Sequence, residues 1–324
     1  MIKQYQLENL DFIEVSNNSH LRVVFSTLGA SIFNIYFYDE CMTRNVLDVN
    51  DFNNSGCYYG KTIGRTSNRI KGNVIEINRK FYKLENNEGK NVLHGGKSSF
   101  SNKVFKAEIK ECKDFIKIEF TYSSRDLESG YPGNADIKVT YKVYKLIDTL
   151  EVKYEGISDK TTLLSMTNHT YFSLGDSDLS KLSLQIRSTR YLEVNKDDLL
   201  PKEIKPTDKV MNFSKFKSIL KDIDDVSLQG KMMNGYDTFF YFDEVDINKV
   251  NASLKNDKYQ LDIKTSFEGL QVYTSNYIPS FKLDNKVMLR DSVALEPSDS
   301  FLKLPLLEKG HLYSREIRYI FKSL

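Results

Sequence analysis

The chain has no tryptophan, six prolines and three cysteines in 324 residues. The cysteines, Cys41, Cys57 and Cys112, are widely spaced and odd in number, and no C-x-x-C occurs. That argues against a disulfide framework and fits free thiols in a reducing compartment. Long apolar runs are also missing. No window approaches the run of about 18 apolar residues that a spanning helix needs. The opening "MIKQYQLENLDFIEV" is polar, without the apolar core of a signal peptide, so the expected location is the cytoplasm. An excess of one charge is lacking too: 46 basic and 44 acidic residues leave a net charge of +2, interspersed along the chain. This pattern carries no footprint for nucleic acid or an anionic membrane.

What is present is β-pattern. Period-2 alternation runs through "LRVVFSTLGASIFNIYFYD", which holds two strands around a Gly-Ala break, and through "VFKAEIKECKDFIKIEFTYSS", which turns near Lys113-Asp114. "ADIKVTYKVYKLIDTLEVKYEGIS" alternates Ile137, Val139, Tyr141 and Val143 against lysines and turns at Ile147-Asp148. Such runs are half-buried antiparallel strands. Twenty Tyr and twenty Phe suit sheet as well. Helical spacing is scarce; the best case is "NFSKFKSILKDI", where Phe213, Phe216, Ile219, Leu220 and Ile223 predict one helix. No strand–helix–strand alternation occurs, so a parallel sheet is not expected. The expectation is all-β: a large antiparallel β-sandwich with few short helices, in one domain over residues 1–324.

Several familiar motifs fail. "SGCYYGKT" resembles a phosphate-binding loop, but Gly56 is one residue too close to Gly60 and Ser55 holds the required position. There is no G-x-G-x-x-G, no G-x-S-x-G and no histidine pair at metal spacing. No cofactor or metal is expected.

Polar residues do stand where plain strand is expected. His169, one of four histidines, sits inside "SMTNHTYFSLG". Strand parity puts Thr167, His169 and Tyr171 on one face and Met166, Asn168, Thr170 and Phe172 on the other. "IGRTSNRIKG" carries Asn68 and Arg69; "NVLHGGKSSF" carries His94 before two glycines; "NGYDTFF" carries Asp237 beside aromatics; "GLQVYTSN" carries Gln271 on the face of Tyr273. "VALEPSDS" carries Glu296 opposite Val293 and Leu295, with Pro297 closing the strand. Each has a plainer reading. A lone strand histidine is more often a hydrogen-bonded core residue, Gly95-Gly96 reads as a turn, and Glu296 reads as an edge-strand charge. Together they make a polar, Tyr-lined face suited to sugar hydroxyls and C–H surfaces.

The segments "GRTSNRI", "NVLHGG", "YPGN", "NHTYFSLG", "GYDTFF", "LQVYTSN" and "ALEPSDS" occur in this order from Gly64 to Ser300. This ensemble resembles the aldose 1-epimerase (galactose mutarotase) family. "GASIFNIYF" and "LEKGHLYSREIRYIF" extend the resemblance over essentially the whole chain. The resemblance implies the mutarotase-like supersandwich with an open carbohydrate cleft. It implies interconversion of the α and β anomers of free aldohexoses, without cofactor, nucleic acid or membrane partner, by a monomer or homodimer. By carry-over, Glu296 is the general base and His169 the general acid. Asn68, Arg69, His94, Asp237 and Gln271 are the sugar-binding residues. Unperturbed values, about 4.3 for Glu and 6.5 for His, already give one charged and one protonated group near neutrality. A nearby Asp237 would favour the imidazolium of His169.

The chain departs from the family's frequent pattern at Thr238, Ser173 and Ser67, and the departures at Thr238 and Ser173 leave the preferred sugar open. Two other readings stand beside the epimerase. One is a non-catalytic carbohydrate-binding protein on the same fold. The other is a glycoside hydrolase using Glu296 and Asp237.

Overall fold

The computed structural model describes residues 1–54, 56–176, 179–277 and 289–324. Ser55 of the failed phosphate loop lies outside them. Among these described residues, alternating apolar side chains produce three large antiparallel sheets. The first is an N-terminal meander of five consecutive strands from Ile2 to Cys41. The second has nine strands; the C-terminal Tyr313–Ser323 strand lies between Thr149–Ser158 and Tyr259–Thr265 near its middle. The third has seven strands, in the order Pro201–Pro206, Arg190–Val194, Asp237–Tyr241, Gly269–Tyr273, Val293–Ser298, Tyr171–Phe172 and Thr43–Arg44.

The sheets close on one apolar cluster whose members run from Ile13 to Phe321. Val293, Leu295, Leu270 and Val272 enter it from the seven-stranded sheet; Val139, Val152, Ile263 and Tyr319 enter from the nine-stranded one. Phe172 meets Tyr319 across the layers at 5.5 Å between ring centroids. The expected all-β sandwich is what the chain forms. The turns expected at Gly29-Ala30, Lys113-Asp114 and Ile147-Asp148 separate the strands assigned around them.

Two local expectations are corrected. The helix over "NFSKFKSILKDI" is absent: turns surround a two-residue strand, Lys217–Ser218, paired to Ser183–Ile186. Phe213, Ile219 and Ile223 are buried all the same. Asn212 caps Ser214 with a side-chain bond to its amide at 2.9 Å, a local contact that competes with helix. The described helices are short; the α-helix Val49–Phe52 has four residues. Pro297 does not close its strand, which continues to Ser298. Pro297 has no N–H to give, and Thr167 Oγ1 donates to its carbonyl at 2.7 Å.

Candidate active site

His169 lies at a break between two short strands, Thr167–Asn168 and Tyr171–Phe172, not within a continuous one. The break is held from outside the strand. The His169 amide donates to the Lys61 carbonyl at 3.0 Å, and the Gly60 amide donates to the His169 carbonyl at 2.9 Å. Asn168 Nδ2 donates to the Gly60 carbonyl at 2.8 Å. Parity partly survives: His169 and Tyr171 line a cleft, whereas Met166 and Phe172 enter the core. Thr167 turns instead to Pro297.

Glu296 stands on an interior strand, paired through Gln271↔Glu296 on one side and flanked by Tyr171–Phe172 on the other. The edge-strand reading is therefore wrong for this residue. Its neighbours Val293 and Leu295 face the core, so Glu296 faces the cleft. Asn68 and His94 come from two loops crossed by the His94 amide, which donates to the Asn68 carbonyl at 3.0 Å. Both have left-handed backbones, with φ of 57° and 51°. Such strain in non-glycine residues clusters at functional sites. Gly95 follows with φ of 89°, and a Cβ there would lie 2.2 Å from the Gly64 carbonyl oxygen.

All seven residues singled out from sequence line this one cleft, of about 420 Å³. His169 Nε2 is 3.3 Å from Glu296 Oε1. The His94 ring meets the His169 ring edge-on at 5.2 Å. Gln271 Nε2 donates to Asp237 Oδ1 at 2.6 Å, and Arg69 Nη1 lies 4.0 Å from Asp237 Oδ2. Buried polar atoms of the cleft residues lack a protein hydrogen-bond partner: His94 Nδ1, His169 Nδ1, Gln271 Oε1 and Glu296 Oε2. Such atoms are costly unless water or a ligand supplies partners.

Electrostatics revise the sequence expectation. Burial, reinforced by the charge of Asp237 and opposed by Arg69, pushes the Glu296 carboxyl well above its usual value. Burial pulls His169 down to about 4. Both shifts run against the charges that ordinary values would give. Burial also lowers His94, helped by His169 and Arg69, and raises Asp237 against the pull of Arg69. Asp237 is engaged with Gln271 and Arg69, and its field falls on Glu296 rather than promoting a charged His169.

The sequence reading missed Tyr58, Glu88, Leu93, Leu199, Lys231, Met232 and Tyr277, which complete the lining. Tyr58 lies in the failed phosphate loop; its ring stacks on His169 at 5.9 Å and meets His94 edge-on at 4.9 Å. Its aromatic type beside Gly60 was the available signal. Glu88 clasps Arg69 through two bonds of 2.8 Å. Nothing in "NNEGKN" marks it. "YPGN" is not part of the lining: the carbonyls of Pro132 and Gly133 accept from buried Arg65 at 3.0 and 2.8 Å. Among the described residues, no group of three or more His, Cys, Asp or Glu could hold a metal ion, and no helix is long and apolar enough to cross a membrane.

The fold is an antiparallel β-sandwich, and its polar cleft holds a buried histidine–carboxylate contact suited to acid–base chemistry. A family profile described as aldose 1-epimerase matches residues 11–319. The chain is 32% identical to an aldose 1-epimerase of Haemophilus influenzae, over 88% of this chain and 85% of that protein. It is 29% identical to a galactose mutarotase of Sus scrofa, over 68% of this chain and 63% of that protein. The crystal structure of a galactose 1-epimerase from Lactobacillus acidophilus superposes with a TM-score of 0.91 at 23% identity, covering 100% of this chain and 98% of that one. The chain belongs to the aldose 1-epimerase family and is an isomerase of the mutarotase kind.

Proposed function

We propose that this enzyme, working as a single unit over residues 1–324 in the cytoplasm, interconverts the α and β anomers of free aldohexoses of the glucose and galactose type. The observation that carries the reading is the 3.3 Å contact of His169 with Glu296, inside a cleft where buried polar atoms of His94, His169, Gln271 and Glu296 lack a protein partner. Asn68, Arg69, His94, Asp237 and Gln271 hold the sugar hydroxyls, and Tyr58, Tyr171 and Tyr273 offer ring surface to its C–H faces.

Glu296 takes the proton from the C1 hydroxyl while His169 gives its proton to the ring oxygen. The C1–O5 bond breaks, and an open-chain aldehyde forms. Rotation about C1–C2 presents the other carbonyl face. Reclosure runs with the roles reversed: His169 takes the hydroxyl proton and Glu296 protonates the new C1 oxygen. No proton is gained or lost over the cycle. Burial favours the proton on Glu296 and a neutral His169 in the resting pair. That is the protonation state reached after ring opening. Transfer of the proton to His169 gives the state from which opening starts, so the pair needs one proton in all.

The test is the polarimetric relaxation of freshly dissolved α-D-glucose and α-D-galactose. The enzyme is expected to speed both. Equal relaxation with and without enzyme, for these and other free aldoses, would defeat the reading.

A further inference from the structure

Glu88 sits in the turn between the Lys80–Lys83 and Val92–Leu93 strands. The turn is well tied. Glu88 and Asn91 form an antiparallel bridge, and Asn91 donates its amide to the Glu88 carbonyl at 2.9 Å. Asn87 brackets Leu93, accepting from its amide at 2.8 Å and donating to its carbonyl at 2.9 Å. One backbone frame therefore holds Glu88 and, just beyond Leu93, His94.

From this frame the carboxylate meets Arg69 side-on. Arg69 Nε donates to Oε2 and Nη2 to Oε1, each at 2.8 Å. A planar guanidinium held at Nε and one Nη is fixed in orientation, and its remaining N–H groups have one direction to point. Here Nη1 lies 4.0 Å from Asp237 Oδ2, close but outside hydrogen-bond distance. Asp237 is thereby left to accept from Gln271. Without Glu88, the fork is free to swing onto Asp237 and close a bidentate pair there, across the space assigned to the sugar.

We propose that Glu88 is a positioning residue: its bidentate grip aims Arg69 at the sugar hydroxyls and keeps the guanidinium from collapsing onto Asp237. The inference rests on the sugar-binding reading of Arg69. Glu88, itself part of the cleft lining, acts through Arg69 rather than on the reacting atoms.

The experiment measures kcat and KM for galactose by polarimetry in wild type, Glu88→Gln, Glu88→Asp, Arg69→Ala and the Glu88→Gln/Arg69→Ala double variant. Loss of a charge-assisted grip is worth roughly tenfold or more. Glu88→Gln is expected to raise KM at least about tenfold with kcat changed less than about threefold, the split left by lost uniform binding. Glu88→Asp keeps the charge but not the reach and should fall between. In the double variant the Glu88 change should add less than about threefold to the loss of Arg69→Ala, because the two act as one unit. Wild-type KM in both Glu88 variants would overturn the proposal. So would independent, multiplicative losses, which would make Glu88 a direct sugar contact. A wild type without mutarotation would defeat the functional reading and this inference together; an active wild type with unaffected Glu88 variants would defeat this inference alone.

Discussion

His169 Nε2 lies 3.3 Å from Glu296 Oε1, and both side chains are more than nine-tenths buried. Burial drives their proton affinities in opposite directions, Glu296 up and His169 down to about 4. Under the proposed mechanism, the acid limb of activity belongs to a second proton arriving on His169, and the alkaline limb to loss of the proton held by Glu296. Ordinary values would have assigned the limbs the other way. The kcat/KM profile should fall toward acid near pH 4. Near neutral pH, infrared difference spectra should show a protonated carboxyl band that vanishes in Glu296→Gln. A wild-type spectrum lacking that band would contradict the assignment.

Stability should carry the same signature. The folded His169 value, about 4, lies below the unfolded value of 6.5. Between these the unfolded chain binds a proton that the folded chain does not, so this group lowers stability as pH falls through that window. At about pH 5 the penalty is about 2 kcal/mol. His169→Asn removes it. Thermal unfolding should show the gap between wild type and variant shift in favour of the variant by that amount from about pH 7.5 to about pH 5. A gap independent of pH would count against the buried, neutral histidine.

Arg65 is buried behind the cleft, with donors satisfied by Ser124, Thr162 and the carbonyls of Arg125, Pro132 and Gly133. A lysine cannot reproduce this fork. Hydrogen bonds from a charged group contribute about 1.5–3 kcal/mol each, so Arg65→Lys should lower unfolding free energy by about 3 kcal/mol or more. Urea denaturation checks it. KM of the folded fraction should stay near wild type, because Arg65 does not line the cleft.

Gly95→Ala places a methyl group 2.2 Å from the Gly64 carbonyl oxygen at a φ of 89°. The loss of stability should exceed about 1 kcal/mol. The displaced loop carries His94, so kcat/KM should fall as well. A variant with wild-type stability and kinetics would show that the close approach is not required.

The strands and their pairing were legible because alternation is a local property: Ile137 to Val143 reads as a half-buried strand from the residues alone. The false helix at residues 212–223 shows the limit. Its apolar spacing is real, but Phe213, Ile219 and Ile223 are buried by turns, and tertiary packing decided between the two. Each cleft residue named from sequence announced itself by polarity within an apolar or glycine-flanked run. Glu88 did not, because it sits in a polar turn where an acid is ordinary. The protonation states were illegible for a related reason. They depend on the burial of Glu296 and His169 together, set by strands distant in sequence.

The central claim is that Glu296, paired with His169, moves the protons of ring opening. The direct measurement is polarimetric mutarotation of galactose by wild type and by Glu296→Gln, with folding verified by circular dichroism. Removal of a general base costs about 10²–10⁴-fold in rate, and a loss in that range with KM little changed is expected. A folded Glu296→Gln enzyme that relaxes the sugar at the wild-type rate would contradict the account.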